Sequence, residues 1–202
     1  MNPSSVRQGN YYEDYADEYF KFTVGLDMSS VYDRFFNELI PGAHIADAGC
    51  GSGRDTKEFL RRGYRVTAFD SSPEMARIAS AYTSQECLVL RFQEIQFQRE
   101  FDAIWACASL LHVPKAEMSD VLRRLLAALR PNGVMYASFI EGEGERTGAD
   151  GRLYNSYTAA SLADLLGTIG MISEISSWKS DETSRQTDRA PGLNFLFRAS
   201  AR

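Results

Sequence analysis

The octapeptide Ala46-Asp47-Ala48-Gly49-Cys50-Gly51-Ser52-Gly53 joins a short apolar run to a helix-compatible segment, and the rest of the chain arranges itself around it. Seventeen residues beyond Gly53, a second short run, Tyr64-Arg65-Val66-Thr67-Ala68-Phe69, ends in Asp70. An acid inside the first strand, alternate glycines in the turn and an acid at the tip of the next strand form the layout of a nucleotide-type cofactor site. Glycines allow positive φ and let a ligand approach without a Cβ in the way. The helix that follows offers unpaired N–H groups and a positive dipole end. An acid about 20 residues further on can accept hydrogen bonds from ribose hydroxyls. The spacing is G-x-G-x-G, not the G-x-G-x-x-G of the dinucleotide fingerprint, and Asp47 has no role in that fingerprint, so a NAD site is disfavoured. The plainer alternative is an ordinary glycine-rich turn between strand and helix.

Outward from this turn, strand and helix patterns alternate. Residues 10–24 place Tyr12, Tyr15, Tyr19 and Phe22 at helical spacing, with Glu13, Asp14, Asp17 and Glu18 on other faces. A second helix is predicted from Ser29 or Ser30 to the Pro41-Gly42 stop. Strands are expected at 44–48, 65–69, 87–92, 102–106 and 134–139. Ser71-Ser72-Pro73-Glu74 starts a helix with a hydroxyl cap and an early proline. Val121, Leu122, Leu125, Leu126 and Leu129 mark another helix, closed by Arg130-Pro131-Asn132-Gly133. Residues 140–155 read as a glycine- and charge-rich loop, and Thr158 as the cap of a further helix. The last two strands, 171–178 and 193–199, have no helical pattern between them and must pair antiparallel. Alternation implies a parallel sheet with right-handed crossovers and helices on both faces. The fold class is α/β, in a single domain.

Composition narrows the function. At 202 residues with net charge −5, the chain can bury a full core and lacks the overall basic balance of a nucleic-acid binder. No apolar run is long enough to span a membrane, and Met1 to Asn10 is polar without the apolar core of a secretory leader. Cys50, Cys87 and Cys107 are odd in number with no C-x-x-C spacing, so neither a disulfide framework nor a metal site is expected, and a reducing cytoplasm fits. Cys107 reads as a buried inert thiol rather than a nucleophile. His44, ahead of the first strand, reads as exposed.

The Asp47–Gly53 turn together with Asp70 resembles class I S-adenosylmethionine (SAM)-dependent methyltransferases, and the resemblance extends over nearly the whole chain. Overall it is most similar to small bacterial members of the type 11/12 and tellurite-resistance-like groups. The resemblance implies a seven-stranded, Rossmann-like methyltransferase sheet, SAM as cofactor and S-adenosylhomocysteine (SAH) as product. It places Asp47, Gly49 and Gly51 at the amino-acid end of the cofactor, Asp70 on the ribose, and Ser71 and Met75 beside the adenine. Arg54 is read either as a partner of the cofactor carboxylate or as a solvated surface arginine. Where many relatives carry an acid for the adenine amino group, this chain has Arg91, which leaves that contact to the backbone around Phe92 and Gln93. Cys107 and Ala108 would face the methionyl part. His112 sits where relatives often carry a histidine near the transferred methyl, and is either a general base or a structural hydrogen-bonder.

Tyr12-x-x-x-Ala16-x-x-Tyr19 resembles the N-terminal element that covers SAM in small-molecule methyltransferases, which makes residues 1–40 a helical lid; the plainer reading is a helix packed on the sheet with its tyrosine hydroxyls at the surface. The loops at 140–157 and 179–192 would hang over the acceptor. Arg146, Tyr154, Tyr157 and Arg189 are the candidate acceptor residues, and their arginines suit an anion. The expected reaction is methyl transfer to a small-molecule O, N, S or chalcogen acceptor by a cytoplasmic monomer or homodimer, with no membrane partner. A nucleic-acid methyltransferase is disfavoured by the acidic balance and by Ala106-Cys107-Ala108-Ser109, which replaces the Pro-Pro-aromatic motif of amino-methylating DNA enzymes. A SAM-binding module without turnover is the remaining alternative.

Overall fold

The computed structural model describes residues 11–180 and 192–201. Three helices come first: α1 (Tyr11–Asp14), α2 (Ala16–Thr23) and α3 (Ser29–Phe36). The helix expected over 10–24 is thus broken at Tyr15, whose φ of −124° and ψ of 27° leave the helical region. The break separates two attachments: Tyr11 lies under Arg152, whereas Ala16 packs on Met75 and Ile78. The sheet elements then alternate with helices: β1 (His44–Ala48), α4 (Arg54–Arg61), β2 (Arg65–Asp70), α5 (Pro73–Thr83), β3 (Cys87–Val89), β4 (Phe101–Ala106), α6 (Lys115–Ala128) and β5 (Leu129–Glu141). After these come β6 (Glu145–Thr147), β7 (Leu153–Tyr157), α7 (Ala159–Ile169), β8 (Ile172–Ser180) and β9 (Gly192–Ala199).

The strands lie in the order β3-β2-β1-β4-β5, all parallel. β9 runs antiparallel against Val134–Ile140 of β5, and β8 antiparallel against β9. That is the expected methyltransferase-like sheet. Two further strands lie in the segment read as a loop. β7 pairs parallel with the tip of β5, and β6 pairs antiparallel with β7. The hairpin forms because Tyr154, Asn155, Ser156 and Tyr157 are buried, while Gly142 and Gly144 take positive φ ahead of it. A three-residue strand is too short to show alternation, so its charges and glycines dominate the reading. The Arg130–Gly133 stop still turns, with Asn132 at φ +64°, and regular pairing of β5 with β4 begins at Val134.

One face of the sheet is covered by α3 and α4, where Phe35 and Phe59 pack on Trp105 and Tyr136. The other is covered by α6 and α7 through Val121, Leu122, Leu125, Leu162 and Leu166. Each such buried side chain contributes about 1.5–3 kcal/mol of burial energy. Central strands apolar on both faces are what a parallel sheet requires. Helix starts follow local chemistry. Ser72 accepts from the Met75 N–H at 3.1 Å with Pro73 next in line, and Thr158 caps α7 through Ser161. His44 is half-buried rather than exposed: its ring bonds Thr67 at 2.9 Å and lies edge-on to Phe101. Among the described residues no helix is long and apolar enough to cross a membrane.

Candidate active site

A cavity of about 670 Å³ opens beyond the carboxyl ends of β1, β2 and β4, where parallel α/β sheets place their ligands. Its floor is the glycine turn. Gly49 (φ +79°) approaches Ser109 so closely that a Cβ there would lie 2.5 Å from the serine Cβ. Gly51 (φ +51°) faces the ring of Tyr19, and a Cβ would begin to fill the space between them. Gly53 instead packs α4 on α5, against Ala79 and Thr83.

Asp70 lines this cavity beside the turn. Its carboxylate accepts from the Gly51 N–H and the Ser72 N–H, each at 2.9 Å. Burial pushes its pKa up, and the backbone hydrogen bonds oppose that. Asp47 lies deeper and does not line the cavity. Its carboxyl takes the Thr56 hydroxyl at 2.5 Å, and burial together with the nearby Asp55 charge raises its pKa.

Arg54 fits neither sequence reading. It forks onto Asp55, with Nε at 2.6 Å and Nη2 at 2.9 Å, and is largely buried. Asp55 also accepts from the Tyr32 hydroxyl at 2.5 Å and the Trp105 indole at 2.8 Å. Burial alone would raise the Asp55 pKa, but the Arg54 cation and these donors hold it below the ordinary carboxylate range.

The opposite wall is a chain of polar contacts between three elements. Arg152, on the hairpin, donates to Asp150 through Nε and Nη2 at 2.9 and 2.6 Å and to the Tyr12 hydroxyl at 3.2 Å. Tyr12 in turn bonds His112 Nε2 at 2.8 Å, and His112 Nδ1 lies 2.6 Å from the Leu153 carbonyl. A carbonyl only accepts, so Nδ1 carries the proton and Nε2 receives the Tyr12 O–H. Burial pushes the His112 pKa down to about 4, with the Arg152 charge adding to the effect, and burial raises Tyr12 to about 12. Cys107, also lining the cavity, is pushed up to about 12 by burial and the Asp55 charge, which fits an inert thiol.

The His112 shift has a measurable consequence. The unfolded chain binds a proton at this residue between pH 6.5 and about 4, whereas the folded chain does not. Stability therefore falls as pH drops through that window, by up to about 3 kcal/mol at 1.36 kcal/mol per unit. Denaturant titrations across the window are expected to show a flatter pH dependence for His112→Asn than for the wild type. An unchanged slope would contradict the assignment.

The structure brings Tyr12, Tyr19, Gly49, Gly51, Asp70, Ser71, Phe92, Gln93, Cys107, Ala108 and His112 together around the cavity. It does not bring Asp47, Arg54, Met75, Arg146, Tyr154 or Tyr157 to the lining. Met75 is fully buried beneath α2. Arg146 lies over the Tyr154 ring, and Tyr157 packs on Phe139. Arg189 lies outside the described residues.

The model of the methyltransferase domain family matches residues 45–133. The ubiquinone biosynthesis O-methyltransferase of Xanthomonas campestris pv. campestris (strain B100) is 29% identical over 106 residues, 49% of this chain and 44% of that protein. The chain therefore matches less than half the length of that relative. Among solved structures, the 1,6-didemethyltoxoflavin-N1-methyltransferase of Burkholderia thailandensis, with bound 1,6-didemethyltoxoflavin and SAH, superposes with a TM-score of 0.75 at 27% identity. The match covers 95% of this chain and 84% of that one. Residues 45–133 are a methyltransferase domain, and the chain as a whole has the class I SAM-dependent methyltransferase fold. A TehB-like structure from Corynebacterium glutamicum, at 17% identity and TM-score 0.71 over 94% of this chain and 98% of that one, shares the fold alone.

Around this methyltransferase domain, the residues that sequence reasoning missed have partners distant in sequence, beyond the Arg54–Asp55 pair itself. Asp55 is separated from Tyr32 by 23 residues and from Trp105 by 50. Ser109, which bonds the Ala48 carbonyl at 2.7 Å, is the reason Gly49 must be glycine. Ser72 ties Glu13 to the start of α5 at 2.5 Å. Only the local hydroxyl-cap signal at Ser72 was visible in the sequence.

Proposed function

We propose that the chain transfers the methyl group of SAM to a small acceptor without negative charge, a ring nitrogen of a heteroaromatic molecule being the best fit. The observation that carries this is one cavity whose two walls differ: a glycine turn with a ribose-type acid on one side, and a wall of already paired aromatic and charged groups on the other. The cradle fits the cofactor, since Gly51 leaves the space that a Cβ would begin to fill and Asp70 holds a carboxylate at the cavity edge. When bound, the cofactor supplies a methyl on a sulfonium with a thioether leaving group, and the protein's part is alignment and exclusion of water.

Asp70 receives the ribose hydroxyls. Gly49, Gly51, Cys107 and Ala108 lie along the methionyl part, and Ser71, Phe92 and the backbone at Gln93 frame the adenine. Asp47 lies behind the turn, where it holds the Thr56 hydroxyl. Tyr12 and Tyr19, on the N-terminal helices, form the lid, and the 140–157 segment walls the acceptor side.

The anionic acceptor suggested by Arg146 and Arg189 is not favoured. Among the described residues the cavity lining carries Asp70, Glu117, Glu145 and Asp150 against Arg91 and Arg152, and Arg152 is already held by Asp150. His112 has both nitrogens engaged, which suits an acceptor whose lone pair needs no prior deprotonation. The N1-methyltransferase likeness is in keeping with this. A second reading, an O-methyltransferase, is favoured by the neutral His112 ring: an acceptor hydroxyl that takes Tyr12's place at Nε2 meets a base there. The same proposal puts the chain in the cytoplasm as a monomer or homodimer, acting on a free small molecule. Nucleic-acid phosphates would meet an acid-rich mouth.

The test is SAH release from SAM over a panel of uncharged nitrogen heteroaromatics, phenols and carboxylates. Turnover with the heteroaromatics is the expected result. Turnover with carboxylates alone would overturn the acceptor assignment.

A further inference from the structure

We infer that Arg152 is a positioning residue: carried on the β6–β7 hairpin, it clasps the N-terminal helix through Tyr11 and Tyr12 and so holds the lid over the cofactor. This rests on the cofactor reading above and adds to it the residue that keeps the site closed.

α1 is a four-residue helix with no fully buried residue. Apolar packing fastens α2, through Ala16 against Met75 and Ile78, and reaches α1 through the half-buried Tyr12; α1 is held besides by polar attachments. One is Ser72, which bonds the Glu13 carboxylate and, at 3.3 Å, the Tyr12 carbonyl. A second is the bond from Tyr12 to His112, and a third is Arg152. Its guanidinium lies 3.9 Å from the Tyr11 ring centroid and 5.5 and 5.3 Å from those of Tyr12 and Tyr154. Cation–π attraction is strongest where the cation is desolvated, and this side chain is only 9% exposed.

The hairpin turn is built to aim the guanidinium. Asp150 takes the Arg152 backbone N–H at 3.0 Å with one oxygen and the guanidinium with the other. Gly148 leaves room for this, because a Cβ there would lie 2.8 Å from both Asp150 Oδ1 and the Tyr154 ring. Arg152 then donates to Tyr12, and Tyr12 to His112, so one planar cation ties lid, hairpin and the strand-to-helix turn at 110–112 into one wall. A lysine ammonium cannot make this arrangement, since it lacks the fork and the flat face.

The experiment measures the dissociation rate of SAH from the wild type, Arg152→Ala, Arg152→Lys and Tyr12→Phe, with hydrogen exchange over residues 11–23. All three variants are expected to release SAH about tenfold faster and to exchange faster over that segment. Millimolar guanidinium is expected to slow release again in Arg152→Ala, because the three tyrosines and Asp150 still frame its place, and to leave the wild type unchanged. A folded Arg152→Ala with wild-type release would overturn the clasp. If that variant fails to fold, wild-type release from Arg152→Lys and Tyr12→Phe would do the same. A wild type that does not bind SAH at all would instead overturn the cofactor reading beneath it.

Discussion

Asp55→Ala is expected to destabilise the fold by about 3–5 kcal/mol, the range for removing one partner of a buried ion pair. Four donors converge on this carboxylate: two from Arg54, one from Tyr32 and one from Trp105. The substitution leaves a buried guanidinium, an indole N–H and a hydroxyl without their acceptor, in a place water does not readily reach. Because domains of this size are stable by about 5–15 kcal/mol in all, the variant should be marginal. The pH dependence has a definite sign. The folded-state pKa of Asp55 is lowered, so its contribution is complete above the ordinary carboxylate range and is lost as pH falls through the folded value. Replacing Arg54 and Asp55 together by apolar residues should recover much of the loss, since neither partner is then left alone. Denaturant midpoints measure both. A loss under about 1 kcal/mol for Asp55→Ala would show that the four-donor arrangement contributes little.

Asp70→Asn is expected to weaken SAH binding by about 2 kcal/mol, or roughly thirtyfold, with a small change in melting temperature. The two effects separate for a physical reason. Burial already disfavours the Asp70 charge, so the fold loses little when the charge goes. Binding loses more. The amide keeps one acceptor oxygen and puts an NH2 group in place of the other, so it either fails the Gly51 or Ser72 N–H or presents a donor where the ribose needs an acceptor. Wild-type affinity in this variant would remove Asp70 from the site.

What could be read in the sequence was local. The glycine turn, Asp70 at a strand tip, and the cap at Ser72-Pro73 are signals within a few residues of one another, and each lies where the reading placed it. The alternation of strands and helices was legible because central parallel strands are apolar on both faces. The hairpin at 145–157 was not, because its first strand has three residues and its burial comes from Tyr154 to Tyr157, amid charges that read as loop. Arg54 was weighed as a cofactor partner or a solvated charge. Its actual partner, Asp55, is its neighbour, but what buries the pair is Tyr32 and Trp105. Arg152 reads as one loop charge among several, because two of its three aromatic partners, Tyr11 and Tyr12, come from the start of the chain, 140 residues away for Tyr12. The expected acceptor loop at 179–192 lies largely outside the described residues.

In the function proposed above, the turn at Gly49–Gly53 with Asp70 holds SAM. Titration calorimetry of the purified protein with SAH, and with NAD as control, tests it most directly. Saturable one-to-one binding of SAH in the micromolar range with no heat from NAD is the predicted result. Binding of NAD, or no binding of SAH, would contradict it.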